Sequence, residues 1–178
     1  MSHAGWRSSA LPAVHLPAAL APEAVLALRA ELAHAARARE TRIDRASHEL
    51  VALASPELEA AIEARAVEVT GRRVRVASCR VLRFGPGDYA LTRADHVAEV
   101  AEGEPPPVEV IVDLSASPVP GAEVHYRHRG CVFFVVPTAP GGISLVERGP
   151  TVLANHTYVS RLHEAAEVVR VVALLREG

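Results

Sequence analysis

The order of hydrophobic periodicities predicts an α+β fold: N-terminal helices packed on a double-stranded β-helix, or jelly-roll, core. Three observations predict it. Apolar residues recur at helical spacing as far as Gly71, two-residue alternation replaces that pattern afterwards, and turn-forming clusters punctuate the alternating part at short intervals. Short strands at such spacing indicate a sandwich or barrel and not repeated β-α-β units. At 178 residues the chain is the size of one domain, divided here into a loose leader (1–12), a mainly helical part (13–71) and the jelly-roll core (72–178).

The elements follow in order. Pro22 suits the first turn of a helix in which Val25, Leu28 and Leu32 share a face. The polar stretch from Arg37 to Arg45 breaks the pattern and reads as a loop. A second helix opens with Ser55 as N-cap, Pro56 at its first position and Glu57 and Glu59 at the positive end of its dipole; Gly71 ends it. Strands are expected from Val74 to about Phe84, from Tyr89 through Leu91 to Arg93, and from Val108 to Leu114. More follow over Val124 to His128, Cys131 to Val136, Ile143 to Glu147 and Val168 to Leu175. The wholly apolar run from Cys131 to Val136 predicts a central strand.

Composition narrows the function classes. Hydrophobic residues make up 49% and aromatic residues 4%, so the core is built mainly of Val, Leu and Ala. Nineteen basic residues against 21 acidic ones, a net charge of -2, argue against a nucleic-acid binder. There is no lysine; every fixed positive side chain is an arginine. Cys79 and Cys131 lie in apolar runs and are expected to be buried, reduced thiols. No signal peptide or membrane-length apolar run is read, which makes a cytoplasmic location the default.

Nine histidines are the chemically informative feature. His96, His125, His128, His156 and His163 fall in the β region, and Asp95 beside His96 adds a carboxylate. An open iron(II) site requires two imidazoles and one carboxylate on a single face. Spacing alone does not bring these residues together, and solvated histidines need no metal. Arg170 interrupts Val168-Val169-Arg170-Val171-Val172, and a guanidinium among valines needs either a carboxylate partner or a solvent-facing strand. His125 and His128, at odd spacing, face opposite sides of a regular strand and make a poor metal pair.

Several short phrases carry a family resemblance. Leu20-Ala21-Pro22-Glu23-Ala24-Val25, Arg83-Phe84-Gly85-Pro86-Gly87-Asp88-Tyr89, Gly142-Ile143-Ser144-Leu145-Val146, Asn155-His156-Thr157-Tyr158-Val159 and Arg170-Val171-Val172 follow one another in the chain. This order resembles the prolyl-hydroxylase-like branch of the iron(II)/2-oxoglutarate-dependent oxygenases. The resemblance implies a small-molecule oxidation with iron(II) and 2-oxoglutarate as cofactors. It places His156 and Asp95 on the metal and Arg170 and Tyr89 on the co-substrate.

One position departs from the pattern. Where the family carries its first iron-binding histidine, this chain has Arg93, followed by Ala94 and Asp95. Arginine has no lone pair to give to a metal. Three readings stay open: His96 supplies the missing imidazole, with His163 as the reserve for His156 should the alignment slip. His96 opens a stretch similar to that of halogenating members, with Ala98 at the small position. Or the metal is lost and Arg93 meets an anionic ligand, leaving a repurposed jelly roll that binds an anion or does acid/base chemistry.

Overall fold

The computed structural model describes residues 3–35, 37–50, 55–93, 104–162 and 164–178. Helices α1 (His3–Ser8), α2 (Pro22–Ala33) and α3 (Pro56–Thr70) accompany strands β1 (Ala13–Leu16), β2 (Arg37–Arg42), β3 (Arg45–Leu50) and β4 (Val74–Phe84). The remaining strands are β5 (Tyr89–Arg93), β6 (Val108–Asp113), β7 (Val124–His128), β8 (Cys131–Val136), β9 (Ile143–Glu147), β10 (Val152–His156) and β11 (Val168–Glu177).

Every described strand pairing is antiparallel, in the order β1-β9-β6-β11-β4-β3-β5-β10-β7-β8, with β2 on β3. Strand alternation sorts the side chains into two apolar cores. Val108, Val110, Val112, Val169, Val171, Ala173 and Leu175 share one cluster with Val25, Leu28 and Leu32 of α2 and Leu58, Ile62, Ala66 and Val69 of α3. Leu82, Phe84, Ile111, Val124, Tyr126, Val136, Val152, Val168 and Val172 form the other, contributed by both ends of the strand order. The second cluster is the inside of the jelly roll. Burying a Leu, Ile or Val side chain is worth roughly 1.5–3 kcal/mol, so this alternation fixes which residues enter the interior.

Helix α3 begins and ends as its sequence dictates. Ser55 Oγ accepts a hydrogen bond from the Leu58 N–H, and Gly71 closes the helix at φ 69°, a left-handed conformation that glycine adopts without steric cost.

Four expectations are corrected. The leader contains α1, and its Trp6 is 2% exposed within the helix-side core. The segment read as a loop from Arg37, inside the part expected to be mainly helical, is the β2–β3 hairpin. Its strands are mostly polar, and the large apolar residue at its turn, Ile43, is 96% exposed, so no apolar alternation marks it in the sequence. The apolar run from Cys131 to Val136 ends the strand order, pairs only with β7 among the described residues and leaves Val132 and Val135 exposed. Cys131 is exposed as well, while Cys79 is half-buried and burial pushes its thiol up to about 11.

Candidate functional site

Arg170 lies at the centre of the jelly-roll interior. Its neighbours Val169 and Val171 point to the helix-side core, while Val168 and Val172 point inward with it. The guanidinium is therefore buried, at 1% exposure, and the solvent-facing alternative is excluded. Its Nη2 donates to the Ala122 carbonyl at 2.7 Å and to Thr138 Oγ1 at 3.3 Å, and its Nη1 donates to His156 Nδ1 at 3.2 Å. Its Nε–H has no hydrogen-bond partner. No carboxylate among the described residues lies within ion-pair distance. Asp113, directly across on β6, spends one oxygen on the Ser115 N–H at 2.8 Å and the other on the Ala139 N–H at 2.7 Å. Burial pulls Arg170 down to about 10, with Asp113, Tyr126 and Glu123 opposing the shift. Removing a guanidinium from water costs several kcal/mol, and here the partners in contact with it are neutral.

His156, the last residue of β10, stacks on Phe84 with ring centroids 4.9 Å apart and 19° between planes. Since a guanidinium only donates, His156 Nδ1 must accept, which leaves the ring proton on Nε2. Burial holds this imidazole well below its ordinary value, and Arg170, Arg80, Arg45 and Arg148 add to the shift. The ring is neutral.

A third group borders these two. Glu109 on β6 forms a buried ion pair with Arg148 and accepts the Tyr126 hydroxyl at 2.6 Å. The Arg148 guanidinium sits 5.7 Å from the Tyr126 ring centroid, a cation–π distance. Burial first, then Glu109, pushes the Tyr126 hydroxyl well above its ordinary value, so it stays protonated. Arg45, Arg80, Glu109, Arg148, Ala154 and His156 border a small void of about 30 Å³. That is about the share of one water molecule in the liquid, so a larger ligand enters only if side chains move aside.

The turn Gly85-Pro86-Gly87-Asp88 has a structural role. The Asp88 N–H donates to the Gly85 carbonyl, Asp88 Oδ2 accepts from the Gly85 N–H at 2.9 Å, and Oδ1 pairs with Arg39 at 2.6 Å. Gly87 holds φ 92°, and a Cβ there would meet Arg161 Nε at 3.0 Å.

Of the residues singled out in the sequence, the structure brings His156 and Arg170 into contact. Arg93 ends β5 with its backbone opposite Ala154, two residues before His156 on β10, so the expected metal segment starts beside the strand carrying His156. Asp95, His96, Ala98 and His163 lie outside the described residues. Tyr89 is not brought to the void; its hydroxyl donates to the Ile43 carbonyl at 3.3 Å. His125 pairs with Glu123 and His128 with Thr151. Phe84, Glu109, Tyr126, Thr138 and Arg148 were not singled out as site residues. Glu109 carried the same signal as Arg170, a charge inside an apolar strand.

No family model matches the chain, and no curated protein matches it in sequence. Solved structures do. A 2OG-Fe(II) oxygenase family oxidoreductase from Burkholderia pseudomallei superposes with a TM-score of 0.73 at 17% identity, covering 98% of this chain and 88% of that one. A Pseudomonas putida prolyl-4-hydroxylase gives 0.68 at 14%, covering 93% and 92%. HygX from Streptomyces hygroscopicus, with nickel and 2-oxoglutarate bound, gives 0.67 at 11%, covering 93% and 82%. The chain has their fold. The likeness covers more than nine tenths of the chain in each case.

Among the described residues no three of His, Cys, Asp and Glu converge as a metal cluster. The one described ligand candidate, His156, presents a protonated Nε2 and commits its lone pair at Nδ1 to Arg170. A metal ligand needs that lone pair. Among the described residues the arrangement provides buried hydrogen-bond donors and positive charge, which suits an anion.

Proposed function

We propose that this chain is an oxygenase-like protein that binds a small carboxylate of the 2-oxoglutarate class against Arg170, between its sheets, and acts on a small molecule. The observation that carries this reading is the buried Arg170 guanidinium, which touches only neutral groups and keeps an unpartnered Nε–H. A carboxylate is its natural fork-shaped partner. The fold adds support, because a solved structure of the same fold holds 2-oxoglutarate.

Thermal unfolding tests the reading directly. A ligand present at a hundred times its Kd stabilises by ~2.7 kcal/mol, which for a chain of this size raises Tm by roughly 5–11 °C. 2-Oxoglutarate or a related dicarboxylate should produce such a shift, its neutral diester should not, and Arg170→Met should abolish it. A panel of small carboxylates without any effect on the wild-type chain refutes the proposal.

A second reading, iron(II)- and 2-oxoglutarate-dependent oxidation, is supported by the fold and by the sequence resemblance. Oxygen uptake that requires both iron(II) and 2-oxoglutarate is its test.

A further inference from the structure

We infer that His156 is an Nε2–H hydrogen-bond donor, oriented by Arg170 and Phe84, and that the interior site takes its anion without a divalent metal. The inference rests on the anion-binding reading of Arg170 and concerns how that same site is built.

Three observations carry it. Arg170 Nη1 donates to His156 Nδ1 at 3.2 Å, and a guanidinium has no acceptor with which to reverse the bond. The Nε2 of this neutral imidazole then bears hydrogen, so neither ring nitrogen has a lone pair to offer a cation. Phe84 stacks on the ring at 4.9 Å and holds it in that orientation. The third observation is the sign of the surrounding field. Arg170, Arg80, Arg45 and Arg148 all act on His156; Arg45 is paired with Glu40, and Arg148 with Glu109, which also accepts the Tyr126 hydroxyl. A dication brought to His156 Nδ1 would have to displace Arg170. An anion in the void beside His156 would meet an N–H donor and the unpartnered Nε–H of Arg148, with the Arg170 guanidinium behind the imidazole.

The test uses the 178-residue chain, purified without a histidine tag and stripped with chelator. Two-bond 1H–15N NMR of the imidazoles reads the tautomer, and manganese(II) titration followed by electron paramagnetic resonance reads metal binding. The expected result is an Nε2–H pattern for His156, identified by its loss in His156→Gln, that does not change when manganese is added. Calorimetry should give 2-oxoglutarate a Kd in excess EDTA within about twofold of its value with manganese. One manganese ion per chain that is lost in His156→Gln, or an Nδ1–H tautomer, overturns the inference. Either result leaves the carboxylate-binding proposal standing. Failure of 2-oxoglutarate to bind with or without metal removes that proposal, while the tautomer and the metal stoichiometry still decide the role of His156.

Discussion

The buried Glu109–Arg148 pair yields a stability prediction that follows from geometry. Arg148 is 2% exposed and Glu109 4%, and the Tyr126 hydroxyl donates to the same carboxylate at 2.6 Å. Replacing Glu109 by Leu strands the Arg148 guanidinium in a dry interior and removes the acceptor of a buried hydroxyl. Breaking a buried ion pair from one side costs about 3–5 kcal/mol. For a chain of this length that is a fall in Tm of roughly 6–20 °C. Glu109→Leu combined with Arg148→Met removes both charges and keeps the volume, so most of the loss should return, because apolar replacement of a whole buried pair is often neutral. Urea unfolding of the two single variants and the double variant, analysed as a cycle, is the assay. A Glu109→Leu cost below about 1 kcal/mol, or a double variant as unstable as the sum of the singles, would refute the reasoning.

Further outcomes are expected. The folded chain holds His156 neutral well below its ordinary value of 6.5, whereas the unfolded chain protonates it near that value. Unfolding therefore takes up a proton in acid, and stability should decline as pH falls below about 6.5, less steeply in His156→Gln. A thiol reagent at neutral pH should label the exposed Cys131 rapidly and Cys79, raised to about 11, slowly; equal rates would contradict the placement of β8. Trp6, the single tryptophan, is buried, so its fluorescence should be blue-shifted in the folded chain. Replacing Trp6 by Ala should cost about 3–5 kcal/mol in a denaturant titration. Ser55→Ala removes the hydrogen bond to the Leu58 N–H and should cost about 1 kcal/mol, read the same way.

Particular residues show how far the fold could be read. The Ser55-Pro56 start and Gly71 end of α3 were legible because capping is local chemistry. The change of period after Gly71 was legible because β4 starts with Val74 buried and Arg75 exposed, the alternation of a strand with one solvated face. The β2–β3 hairpin was not, since its strands present arginines and glutamates and no apolar alternation marks them. The position of β8 was misread because Cys131 to Val136 has the composition of a central strand, and strand order is a property of long-range pairing. Within the site, Arg170 and His156 stood out individually, but their contact depends on β10 and β11 facing each other across the interior. That contact decides the imidazole tautomer, which residue identity cannot disclose. Glu109 announced itself as clearly as Arg170; its partner Arg148 lies just past the end of β9, where a charge draws no notice.

Titration calorimetry of 2-oxoglutarate in excess EDTA tests most directly whether Arg170 anchors an interior anion site. The wild-type chain should bind one 2-oxoglutarate, and Arg170→Met, shown to be folded by its near-ultraviolet circular dichroism, should bind at least a hundredfold more weakly. Equal binding by the two proteins, or no heat from the wild-type chain at millimolar ligand, would contradict the account.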